Sequence, residues 1–354
     1  MIRTESTRML APAGLVPAGK LGHSYRVLLP VLALCAATAS WGQSAAGSTG
    51  SRVPSTLFSG VKRATPAAAT PASAQYKFVS IQIPGATGTS PGGLYGAFAY
   101  GIDNAGVVSG FYNDASNISH GFVWRNGTLH TLDNPGSLYT ALSSVSNRVV
   151  AVGYYGDLTT AHAAMYSFQS GAWTTLPDIS GMSNNEGYGI NKHGVVVGVA
   201  GGGGFNNPSN AAAWIWYPSS RLYSFFAVPG ATQYSTFANA INDNGQVVGS
   251  FSDTNGGHGF LKDGQTYTTL DVPGAAFGTT AFGINNAGTI VGVWGNLSGW
   301  SEGFVRTSDG TVKVVDFPGG LETQIGNIND RGDICGLFVD PKTGFWTPFV
   351  AFKQ

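Results

Sequence analysis

An all-β fold of repeated four-stranded sheets is predicted by three features of this sequence. Glycine is abundant, 52 of 354 residues, and aromatics reach 12%; many turns together with many aromatics favour strands over helices. A turn-and-strand unit typified by Ala281–Trp294, AFGINNAGTIVGVW, occurs six times, its closing glycines stepping by 43 to 51 residues. Each period holds four strand-like pieces, the pattern of a propeller blade. The expectation is a six-bladed β-propeller with about four strands per blade and about 45 residues per repeat.

The N-terminus reads as an export signal over residues 1–39. Arg3, Arg8, Lys20 and Arg26 form a basic leader, and Met9 offers an alternative start. Val27–Ala39 is an apolar run of 13 residues, too short to cross a bilayer but the length of a signal core, and Ala37-Thr38-Ala39 is a small-x-small cleavage site. Leu34 stands before Cys35 where a lipid-attachment box wants a small residue, so lipidation is not expected. Residues 40–75 are rich in Ser, Ala, Thr, Gly and Pro and read as a linker. The propeller is expected over residues 76–354, in a secreted or periplasmic protein without membrane insertion.

Charge narrows the partners. Eighteen basic and 18 acidic residues cancel, and only 10% of residues are charged. Nucleic acid and anionic membranes usually require a basic surface, so neither is an expected partner. The mature chain keeps one cysteine, Cys335, which occupies the position of Val248 and Val291 in other copies. It reads as buried filler, and the domain must hold together without an internal disulfide. A monomer is the expected state.

Within each copy the turn has a mechanism. In Ile284-Asn285-Asn286-Ala287-Gly288 the first Asn caps its own backbone and the Gly accepts φ > 0, closing a hairpin. The other copies start at Ile102, Val145, Ile190, Ile241 and Ile328, the second being degenerate at Asn147. A proline follows the first strand-like piece in every copy, at Pro84, Pro135, Pro177, Pro229, Pro273 and Pro318, where it ends the ladder. The first strand, Tyr76–Pro84, and the last, Phe345–Phe352, are expected to meet and share a blade.

The segments Gly189–Gly198 and Gly283–Gly292, with His120-Gly121-Phe122 and His258-Gly259-Phe260, resemble the HAF-type extracellular repeat family of bacterial exported proteins. The resemblance runs from about Tyr76 to the C-terminus. It implies bacterial export and a repeat fold, and it brings no catalytic residues, cofactor or ligand.

No HExxH, GxSxG or P-loop pattern is present. Gly201–Gly204 has no following lysine and reads as a loop. The residues at the His-Gly-Phe position, His120, His162, Asn210, His258, Glu302 and Thr343, offer a candidate ligand ring. A metal ring there is the sharper reading; capping of a turn or bonding to a neighbouring blade is the one the repetition favours. Trp300 is a second candidate ligand contact. Two residues past the closing glycines lie Tyr112, Tyr155, Phe251, Trp294 and Phe338, expected to fill space between blades. Glu186 breaks the pattern without an evident partner. The function expected is a binding or interaction module whose ligand is a carbohydrate or a cell-surface protein, with no cofactor. The alternative is a hydrolase or lyase with its site in the central funnel.

Overall fold

The structure, a computed structural model, describes residues 72–86, 96–146, 150–157, 159–201, 211–297 and 299–354. The expected signal and most of the expected linker lie outside the described residues.

The described chain is all-β. β1 (Tyr76–Ser80) is followed by β2 (Ala97–Ile102), β3 (Val108–Asn113), β4 (Ser119–Arg125) and β5 (Thr128–Thr131), which form one antiparallel unit. The second unit is β6 (Tyr139–Ser146), β7 (Val150–Gly156), β8 (Ala161–Ser167) and β9 (Ala172–Thr175). The third is β10 (Asn184–Ile190), β11 (Val196–Gly201), β12 (Ala212–Tyr217) and β13 (Leu222–Phe226). A single parallel bridge, Asn184 to Ala161, joins the second and third units into one sheet. The fourth is β14 (Phe237–Ile241), β15 (Val247–Ser252), β16 (Gly257–Asp263) and β17 (Thr266–Leu270). The fifth is β18 (Thr279–Ile284), β19 (Ile290–Gly295), β20 (Ser301–Arg306) and β21 (Val312–Val314). The sixth takes β22 (Thr323–Ile328), β23 (Ile334–Val339) and β24 (Trp346–Lys353) from the C-terminus and β1 from the N-terminal side.

The first strands of the units pack in cyclic order. β2 lies on β6, β6 on β10, β10 on β14, β14 on β18 and β18 on β22, and β22 returns to β2. The termini meet as the sequence suggested: β1 pairs with β24 antiparallel, from Tyr76 opposite Lys353 to Ser80 opposite Phe349. Strand edges are exposed hydrogen-bonding surfaces, and a cyclic meander leaves only outer ones.

Local sequence explains the sheets. The second strands are nearly continuous apolar runs, and Ile290, Val291, Val293 and their equivalents are buried, apart from Ser250, which is half-buried. Burial on both faces is what a sheet sandwiched between neighbours requires. Cys335 is fully buried among such residues, and burial pushes its thiol pKa upward. Two glycines of the repeat serve close approach rather than turning. A Cβ on Gly283 would stand 2.8 Å from the Asn327 Cα of the next unit. One on Gly292 would stand 2.9 Å from the Phe304 ring, which covers it from the third strand. The Gly-Ile-Asn and His-Gly-Phe elements are therefore halves of one packing solution.

Every first strand carries a β-bulge that its sequence does not announce. The register slips between Ala99 and Gly101, Leu142 and Ser144, Gly187 and Gly189, Ala238 and Ala240, Ala281 and Gly283, and Ile325 and Asn327. A bulge re-aims the extra residue. Here those residues are Tyr100, Ser143, Tyr188, Asn239, Phe282 and Gly326, large in alternate units and small in the others.

Candidate functional site

At one end of the strands the Asn turns gather into a ring. Asn285 Oδ1 accepts from the backbone of Ala287 at 3.1 Å and Thr289 at 3.0 Å, the cap read from the sequence. Its Nδ2, however, donates to the Asn329 carbonyl of the next unit at 3.0 Å. The same link runs from Asn191 to Asn242, from Asn242 to Asn285 and from Asn329 to Asp103. A second tier follows at the next residue. The backbone N–H groups of Lys192, Asp243, Asn286 and Asp330 donate in turn to Asp243, Asn286, Asp330 and Asn104 side chains at 2.8–2.9 Å. These turns surround a polar mouth of about 70 Å³. Asn285→Ala is expected to cost about 2–3 kcal/mol by urea denaturation, since it orphans buried groups in two units. A loss within about 0.5 kcal/mol would mean that the inter-unit bond is unimportant.

At the other end lie the histidines, on third strands rather than on the inner ones. His120 Nδ1 bonds Asp133 at 2.8 Å, His162 Nδ1 bonds Asp178 at 2.8 Å, and His258 Nδ1 bonds Asp271 at 3.0 Å. Each partner belongs to the connection entering the following unit. Each imidazole also lies beside the aromatic opposite it, Tyr112, Tyr155 or Phe251, with centroids 5.2–5.5 Å apart. Burial pulls the His120 and His258 pKa values down, but Asp133 with Asp114, and Asp271 with Asp253, outweigh it and raise both. The candidates are thus held singly, each by an aspartate of the connection that leads to the following unit. Among the described residues no cluster of three His, Cys, Asp or Glu is suited to a metal.

The strand register corrects the alignment of that position. Tyr112 opposes His120 and Trp294 opposes Glu302, but Ala200 opposes Ala212 and Phe338 opposes Thr347. Thr343-Gly344-Phe345 lies in the connecting loop, with Gly344 at φ +73°, and only resembles the motif. Asn210 lies outside the described residues, as do Gly202–Gly204 and Asn147. Glu302 accepts from Asn296 Nδ2 at 2.9 Å. Trp300 is half-buried and closes the same loop through a backbone bond to Asn296 Oδ1 at 3.1 Å. Leu297, in that loop, is 86% exposed.

Between these ends the interior is filled. Tyr100 and Phe282 come from units that are not neighbours in the cycle, yet their centroids lie 6.5 Å apart. Tyr154 meets Tyr139 and Tyr188 edge to face at 6.3 Å. Glu186 sits among them, 2% exposed, accepting from the Tyr188 hydroxyl at 2.6 Å. Burial raises the Glu186 pKa to about 7 against the opposing pull of that hydrogen bond. Burial first, and then Glu186, lift the Tyr154 and Tyr188 pKa values well above the usual phenol range. The Tyr154 hydroxyl is buried without a hydrogen-bond partner. The sequence marked Glu186 only as a departure from the repeat; the signal for its setting is the nearby Tyr188, two residues on.

Exposed apolar side chains are unevenly spread. Of eight large ones among the described residues, five (Ile118, Leu138, Tyr234, Leu297 and Phe345) lie on connections at the histidine end. The remaining three, Tyr217, Leu222 and Phe225, lie on or beside the outer strand of the third unit.

No protein family and no curated protein matches this chain. Solved structures are similar in fold. TolB from Acinetobacter baumannii aligns at TM-score 0.52 and 11% identity, over 73% of this chain and 64% of that one. The chain thus spans under two thirds of that structure. The SapL1 lectin in complex with alpha methyl fucoside aligns at 0.44 and 14%, over 68% and 87%. AofleA from Arthrobotrys oligospora aligns at 0.48 and 14%, over 79% and 90%. The class established is an all-β protein of several sheets with β-propeller-like structural neighbours.

Proposed function

We propose that this chain is a six-bladed β-propeller of the HAF-type extracellular repeat kind, exported, and serving as a binding module for a carbohydrate or a cell-surface protein. The observation that carries the reading is the concentration of exposed apolar side chains on the connections of one end. Solvent-facing loops on a rigid scaffold are where recognition is commonly built, and apolar atoms left in water there favour a contact surface. The closed packing order of the first strands supports the six-bladed arrangement. The hydrolase or lyase reading has less support, because Tyr100, Tyr188 and Phe282 occupy the interior where its funnel would open.

A glycan array and capture on intact bacterial cells test the proposal with the full chain. The expected result is saturable retention that Leu138→Asp together with Leu297→Asp weakens about tenfold or more. Retention unchanged by that pair, or release of a cleaved product, would overturn it.

A further inference from the structure

A cavity of about 170 Å³ opens between the fifth and sixth units, at the end occupied by the Asn turns. The outer strand of the fifth unit beside it, β21, is three residues long. The inner wall is apolar, formed by Val305, Val315 and Ile328, all buried. The rim is cationic: Lys313, Arg331 and Lys353 come from three separate elements.

Three cations around one cavity are unusual in a chain with 10% charged residues. Arg331 is already committed, its guanidinium held by Asp333 at 2.8 Å. The two lysines are not: among the described residues neither ammonium is in an ion pair. The acidic member of the lining, Asp330, turns its oxygens into the axial ring, where Asn286 and Asn104 donate to both of them. Tyr76 also lines the cavity. Burial, then the nearby Asp333, raise its pKa to about 12, so its phenol remains a donor.

We propose that this cavity binds a small organic carboxylate, its apolar body against Val305 and Val315 and its charge between Lys313 and Lys353. An apolar wall beneath a cationic rim matches a molecule with one charged end. Exposed lysines contribute modestly, and a ligand this small has few atoms, so affinity near about millimolar is expected. The site lies at the opposite end from the apolar loops, so it stands or falls separately from the binding surface proposed above.

The test uses the full chain, with pentanoate as probe and saturation-transfer NMR as readout. Pentanoate is expected to saturate, and pentan-1-ol and pentylamine to bind about tenfold more weakly or not at all. Lys313→Ala with Lys353→Ala is expected to weaken pentanoate about tenfold. Both lysines are exposed, so folding is expected to be preserved, and thermal melting checks it. Should the pair fail to fold, Lys313→Glu alone must weaken pentanoate by a similar factor. Absence of saturable binding, equal binding of the alcohol, or unchanged binding by the folded variants would overturn the proposal.

Discussion

A chain beginning after Ser80 is expected to lose cooperative folding, whereas one beginning at Ala72 folds. β1 is the outer strand of the sixth unit, supplied from the other end of the chain. Its Phe78 packs edge-on against Phe317 at 5.4 Å and at a tilt against Phe349 at 5.5 Å. Removing it leaves β24 as a bare edge and exposes the apolar cluster containing Phe349, Ile325 and Ile334. Burying each such side chain is worth about 1.5–3 kcal/mol, and a domain's net stability is only about 5–15 kcal/mol. The loss is therefore comparable with the whole. Chemical denaturation of the two chains measures it. Phe78→Ala gives a graded version, expected to cost about 2–4 kcal/mol because the ring is only half-buried. If the chain lacking β1 unfolds with the same midpoint as its longer counterpart, the strand does not close the structure.

Glu186→Gln is expected to stabilise the protein above pH 7 and to leave it unchanged near pH 4. The folded pKa of Glu186, about 7, lies above its ordinary 4.5. A carboxyl raised in this way has its full stability below the unfolded value. That stability is lost as pH rises through 4.5 and toward 7, because the folded state resists ionisation. The difference corresponds to the order of 3 kcal/mol at pH above 7. Gln keeps an acceptor for the Tyr188 hydroxyl, which at 2.6 Å is the carboxyl's hydrogen-bond donor. Thermal melts of both proteins from pH 4 to 9 provide the comparison. Parallel curves would show that Glu186 is solvated in the folded state and that the interior is not closed.

The sequence alone determined the repeat, its four strands, the turn chemistry at Asn285 and Gly288, and the buried place of Cys335. Each of these rests on residues close together in the chain. Alternation, turn residues and period are local properties, and they survive any arrangement of the units. Tertiary structure decided the rest. The Asn285 amide reaches a carbonyl 44 residues away because the first strands approach closely at Gly283. In the sixth copy Thr343-Gly344-Phe345 imitates the motif, while the strand register sets Thr347 opposite Phe338. The histidines looked like a ring in sequence, yet each is clasped separately by an aspartate of the connection leading to the following unit. Glu186 carried no message until the packing of the units set Tyr188 and Tyr154 beside it. The bulge changes which way a side chain points without changing composition or period, so no local pattern reports it. What the chain presents at its loops, and what it hides along its axis, are set by how units some 45 residues apart meet, a relation that periodicity does not encode.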